Sequence, residues 1–290
     1  MARDDIVNLY KILTRYKFMP PLVVAGLLAG SDYAPVTEHL LMALPAEWQL
    51  LQLPLTELSG MLQDCDVARS NTQPKAYYPE LPVSGIIVSR NVTESGDALF
   101  SPQHLQRQLV DMPVCSEDGL QDPEQRRLFI QAVSARAEFD ALCESRLSAH
   151  QLIQFHSRYK SLLLAHSQPL YRQLGPLVAG ISEWSSLKDF AAEYRSRMMA
   201  IMLLPDSRAN HTNVLMHIQG YFRPYLSSAR RQHLTETIEH YRCGLLPLSV
   251  PVTELRQLLA EYPHPWLESQ RYLFPYLPSA RKCTELQEDK

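Results

Sequence analysis

The stretch that decides the fold is residues 152–166, LIQFHSRYKSLLLAH. Leu152, Phe155, Tyr159, Leu162 and His166 recur at alternating intervals of three and four, which puts them on one face of a helix. An apolar stripe of that length has to be covered, and the sequence downstream supplies further helices to cover it. Ser186-Leu187-Lys188-Asp189 resembles a capping box with Asp in the acceptor position, ahead of Phe190, Tyr194, Met198 and Ile201. A helix over 210–222 stops at Pro224. Ser227 or Ser228 caps the next, which carries Leu234, Ile238 and Tyr241, has His240 and Arg242 in its last turn and ends at Gly244. Two short helices, 255–262 and 266–274, are separated by Pro263 and Pro265. Residues 145–282 therefore read as an all-α helical domain, with a polar tail over 283–290.

Upstream the texture changes. Residues 121–144, opened by Asp122-Pro123 and carrying Leu128, Phe129, Val133 and Phe139, read as a helical connector. Before it, 22–28 is a continuous apolar run ended by Gly30, as expected of a strand covered on both faces. Residues 48–55 and 83–89 are two further strand candidates, the second rich in β-branched side chains. An amphipathic helix over 1–18 and a helical turn over 38–44 alternate with them, and 64–82 is a polar, proline-punctuated loop. The expectation is α+β overall: a small α/β domain over 1–120, then the helical domain. The apolar run over 19–29 is too short to span a bilayer and opens on Pro20-Pro21, so no membrane partner is expected.

Charge divides along the same line. Residues 1–144 carry 11 Lys+Arg against 19 Asp+Glu, and residues 145–290 carry 17 against 12. The basic half is a candidate for a polyanionic partner; the alternative is that the halves neutralise each other. Cys65, Cys115, Cys143, Cys243 and Cys283 form no CxxC pair and are odd in number, which supports neither a zinc nor a disulfide framework and fits a reducing cytoplasm. No cofactor and no metal are expected from these patterns.

The richest segment is HTNVLMHIQGYFR, residues 211–223. Asn213, His217 and Tyr221 fall at i, i+4 and i+8 and share one helix face, beside a glycine that leaves room for close approach. That face is either a polar recognition or catalytic surface or an interhelical hydrogen-bond network. His211 and His217 are six apart, so they do not make a metal pair. In the first segment His156 and Lys160 lie beside the apolar stripe, and His166 lies on it as a packed histidine. Arg158, Lys160, Arg172, Lys188, Arg195, Arg197, Arg208, Arg223, Arg230 and Arg231 are candidates for phosphate contacts. No GxSxG, P-loop or GxGxxG occurs, and no cysteine lies next to a plausible base, so no catalytic residue is assigned.

Four stretches, FHSRYKSLLLAHSQPLYRQLG, HTNVLMHIQGYFRP, YRCGLLPLSVPVTELRQLL and SQRYLFPY, occur in order and together closely resemble the YbgA-type domain, a bacterial family often found beside photolyase. That domain is often fused behind a TudS-like thiouracil desulfidase domain, in fusions that resemble tRNA 4-thiouridine desulfidases of the RudS type. The amino-terminal half here resembles an eroded desulfidase domain, in PLVVAGLLAG, WQLLQLPLTE and VSGIIVSRNVTESGDALFSPQ. The resemblance implies three cysteines binding an iron–sulfur cluster, and the matching places are Gly26, Leu53 and Ser95. Glycine and leucine supply no ligand and serine replaces thiolate poorly, so the family's chemistry is not expected to run. The resemblance implies binding of tRNA or another structured RNA through His156, Arg158, Lys160, His166, His211, Asn213, His217, Tyr221, Arg223 and Arg242. The alternatives are a helical-domain enzyme acting on a nucleotide-like substrate, favoured by a deep pocket around His211, His217 and Lys160, and a DNA or UV-repair accessory.

Overall fold

A computed structural model describes residues 24–29, 43–45, 48–54, 83–94, 98–144 and 147–275. The predicted helix over 1–18, most of the turn over 38–44, the loop over 64–82, Cys65, Ser95, Cys283 and the tail lie outside these residues. The chain is mostly helical with a small parallel sheet, and it divides into two compact units, residues 1–137 with 277–290, and residues 138–276.

In the first unit, strands β1 (Val24–Ala29), β2 (Gln49–Pro54), β3 (Gly85–Val88) and β4 (Val114–Ser116) form a parallel sheet in the order β2-β1-β3-β4. The first three coincide with the predicted runs to within a few residues. The three-residue β4 was not predicted, because it is too short to show a period. Between the strands lie the short helices α1 (Arg90–Glu94) and α2 (Pro102–Gln108). Strand alternation sends Ile87 into one core cluster with Leu120, Phe129 and Val133, and Ile86 and Val88 into another with Val92, Phe100 and Leu105. Both faces of β3 are thus covered, which explains its unbroken apolar run. Gly85 permits the contact with helix α3 (Pro123–Glu144), since a Cβ there would stand 2.4 Å from Val133 Cγ2. The sequence of α3 continues across the boundary between the units, contributing Glu138 to Glu144 to the second.

The second unit is helical: α4 (Ala149–His166), α5 (Gln168–Ala179), α6 (Leu187–Met202), α7 (Arg208–Phe222), α8 (Ser228–Arg242), α9 (Ser249–Glu261) and α10 (Pro265–Ser269). The predicted stripe of α4 is buried at all five positions, as are the four apolar positions predicted for α6. The hydroxyls of Ser148, Ser167, Ser186, Ser207 and Ser227 each accept a backbone N–H in the first turn of the helix they precede. Ser167 both ends α4 and caps α5, a helix missing from the predicted elements. At Gly244, φ is +82°, the left-handed conformation that closes α8, and the Leu245 N–H reaches back to the His240 carbonyl.

Two predicted boundaries move. Helix α9 starts at Ser249 rather than 255, because Pro251 sits in the first turn, where its missing N–H leaves no bond unmade. The final helix ends at Ser269 rather than 274. The backbone leaves the helix at Gln270 so that the next three side chains can dock on other elements.

Candidate functional site

Most residues of the recognised segments hold the second unit together. Glu138, 7% exposed, accepts from Nε and Nη2 of Arg271, both at 2.9 Å, and from the Tyr159 hydroxyl at 2.6 Å, and pairs with Arg158 at 3.3 Å. Gln270 is fully buried; its carbonyl accepts from the Ser161 hydroxyl and its amide donates to the Ser157 carbonyl, both at 2.8 Å. The Trp266 indole donates to the Ser157 hydroxyl at 3.0 Å. His156 lies between two tyrosines, with Nδ1 3.1 Å from the Tyr194 hydroxyl and Nε2 3.2 Å from that of Tyr171. A neutral imidazole satisfies both, accepting from one and donating to the other. Burial, and then the charge of Lys160, push its pKa down to about 4.

His166 and His211 are buried as well. His166 Nδ1 lies 2.6 Å from the Leu204 carbonyl, so it is the packed histidine expected. His211 sits between the Asp206 carboxylate, 2.8 Å from Nε2, and the Tyr272 hydroxyl, 3.0 Å from Nδ1. His156, His166 and His211 are thus taken up by internal contacts. His211, His217 and Lys160 are not gathered in a deep pocket: His211 is in the core, whereas His217 is exposed. A cavity of about 540 Å³ in this unit lies instead between α8 and α9, lined by Arg230, His233, Glu254 and Glu261 among others.

The basic residues sort in the same way. Arg158 pairs with Glu138, Arg195 with Asp140, Arg197 with Glu193, Arg230 with Glu261 and Arg242 with Glu239. Arg208 stacks 4.7 Å over the Tyr241 ring and donates to the Tyr241 carbonyl. Among the described residues, Lys160, Arg172, Lys188, Arg223 and Arg231 have no carboxylate partner. The surface therefore presents fewer unpaired cations than the sequence suggested.

What remains outward is concentrated on α7. Asn213 and His217 are exposed and Tyr221 is half-buried, so the face they share is not an interhelical network. Tyr221 stacks on Trp266 with centroids 5.1 Å apart and planes at 21°. The rings of His217 and His264 meet Tyr221 edge-on at 5.8 and 5.0 Å. Lys160 Nζ lies 5.9 Å from the Trp266 ring centroid. Helix α4 thus supplies a cation, α7 a Tyr and a His, and the start of α10 a Trp and a His, forming one ring-and-cation cluster at the surface. Sequence reasoning found Lys160, His217 and Tyr221 and missed Trp266 and His264, which join them from well downstream of α7; the one local sign was their setting in the Pro263-His264-Pro265-Trp266 turn.

Among the described residues, no group of three or more His, Cys, Asp or Glu is placed to hold a metal ion, and no helix is long and apolar enough to cross a membrane.

The class follows from residues 160–277, which match a family described as "Protein of unknown function (DUF1722)". A particular relative is "Uncharacterized protein YbgA" of Escherichia coli (strain K12), 46% identical over 140 residues, or 48% of this chain and 83% of the relative. The chain belongs to this YbgA family. No solved structure matches it.

Proposed function

We propose that this chain is an RNA-binding relative of the tRNA 4-thiouridine desulfidases that does not itself remove sulfur, and that its helical unit holds tRNA or another structured RNA. The observation that carries the reading is the surface cluster in which exposed His217 meets half-buried Tyr221, Trp266, His264 and Lys160. Aromatic faces beside a cation suit unpaired bases joined to phosphates, and sequence-specific RNA recognition mostly targets such bases. Arg223, exposed at the end of α7, is available for a neighbouring phosphate.

The four-stranded parallel sheet suits a desulfidase-like α/β unit, but the residues in it do not fit an iron–sulfur cluster. Gly26 lies within β1 and Leu53 within β2, and neither offers a thiolate. Burial pushes the Cys115 thiol up to about 11 and Cys143 to about 12, so both stay protonated near neutral pH. On this reading the first unit serves as scaffold, and no desulfurisation step is assigned to it.

Filter binding of the full chain to total tRNA at 50 and 200 mM salt, with duplex DNA and a neutral polymer as competitors, tests the reading. Binding that weakens steeply with salt and resists both competitors supports it. Salt-insensitive or absent binding rejects it, and equal competition by duplex DNA replaces it with a DNA-associated role.

A further inference from the structure

We infer that the outward stripe of α7 is the seat of one unpaired nucleotide, and that Gly220 is kept free of a side chain so that the nucleotide's backbone can lie against the helix. The inference rests on the RNA-binding reading and gives it a place and a geometry.

Asn213, Met216, His217, Gly220 and Tyr221 fall at i, i+3, i+4, i+7 and i+8 and form a continuous stripe. The first four are exposed, Met216 to 59%, and the stripe carries no Lys, Arg, Asp or Glu. The outer face of a surface helix is ordinarily charged. A charge-free, exposed stripe that includes a methionine and an aromatic ring is the composition of a contact surface rather than of a solvated face.

Gly220 is the second observation and is independent of the first. Glycine is the poorest helix former after proline, and Gly220 falls in the last turn of α7, where it leaves the backbone open to a close approach. No neighbour is present here, since a Cβ on Gly220 would meet nothing within 4 Å. Gly85, by contrast, would drive a Cβ into Val133. Gly175 in α5 is equally open but half-buried, whereas Gly220 lies on the exposed stripe, where its bare backbone leaves room for an approach from outside the chain.

The third observation decides the kind of occupant. Immediately beside Gly220, the Tyr221 ring is held against Trp266, which is itself pinned to Ser157, so the platform is already ordered. Lys160 stands over the Trp266 ring. Partly exposed rings, a cation over one of them and the exposed Arg223 two residues beyond Tyr221 match a base with its phosphate, whereas a duplex would present its bases stacked and inaccessible.

The test compares Gly220→Ala and Gly220→Leu with the unaltered full chain, using total tRNA as ligand and a fully paired RNA duplex as competitor. Melting temperature is followed in parallel. Alanine is expected to hold or raise the melting temperature while weakening tRNA binding about tenfold, with leucine weakening it further. The duplex is expected to compete poorly. If the unaltered chain binds tRNA and both variants bind equally well, the seat is elsewhere and the RNA-binding reading survives. If the duplex competes as well as tRNA, the ligand is paired RNA and the inference fails. If the unaltered chain binds no RNA, the inference and the reading fall together.

Discussion

Helices α4 and α7 both carry recognised motifs, yet they use them in opposite ways. From Phe155 to Ser161 on α4, every side chain has an internal partner: a core contact, a tyrosine, a buried carboxylate, a buried amide or an indole. On α7, His211, Val214, Leu215, Ile218 and Phe222 face inward, while Asn213, Met216, His217 and Gly220 are exposed. The difference teaches that one motif specifies the unit's architecture and the other leaves a surface available for a partner. Substitutions on the first should cost stability; substitutions on the second should leave stability alone.

The largest effect is expected at Glu138. Glu138→Ala leaves Arg158, Arg271 and the Tyr159 hydroxyl without their shared acceptor, and breaking a buried ion pair from one side costs about 3–5 kcal/mol. Urea denaturation of the second unit's transition measures it. A loss below about 1 kcal/mol would place the network among inconsequential surface pairs.

His156 sharpens the comparison through pH. Its folded pKa, about 4, lies below the ordinary value of 6.5, so the unfolded chain binds the proton more readily. The stability it contributes is complete above about pH 6.5 and is lost as pH falls toward 4, for a total of about 3 kcal/mol. His156→Gln, which offers both a donor and an acceptor to the two tyrosines, should flatten the pH dependence of denaturation over that window. An unchanged slope would mean that another group carries it.

In the first unit, Gly85→Ala forces a methyl into Val133 and should cost about 1–3 kcal/mol, read as a lower denaturation midpoint. The smallest effect belongs to the α7 stripe. Asn213→Ala and Met216→Ala should each change stability by less than about 0.5 kcal/mol, and a larger loss would show that the stripe packs against the chain itself.

Much of the architecture was legible in local pattern. The α4 stripe, the caps at Ser186 and Ser227, Gly244 and the three longer strands each follow from a period or a terminator that a short window contains. Helix α5 was hidden because Ser167 both ends one helix and starts the next, leaving no loop to mark the break. The candidate site was half legible. Asn213, His217 and Tyr221 share a face by arithmetic alone, but burial decides whether that face points inward or outward, and periodicity carries no such information. The histidines show the same limit: His211 and His217 look alike in sequence, and only the positions of Asp206 and Tyr272 assign the first to the core. Trp266 and Glu138 lie far along the chain from their partners, Tyr221 and Arg271, so no local signal joins them.

Oxidative footprinting tests most directly whether the α7 stripe is the surface that RNA covers. Met216, at 59% exposure, is a ready target for oxidation to the sulfoxide. The account predicts that saturating tRNA slows oxidation of Met216 in the full chain. Equal oxidation of Met216 with and without bound tRNA would contradict it.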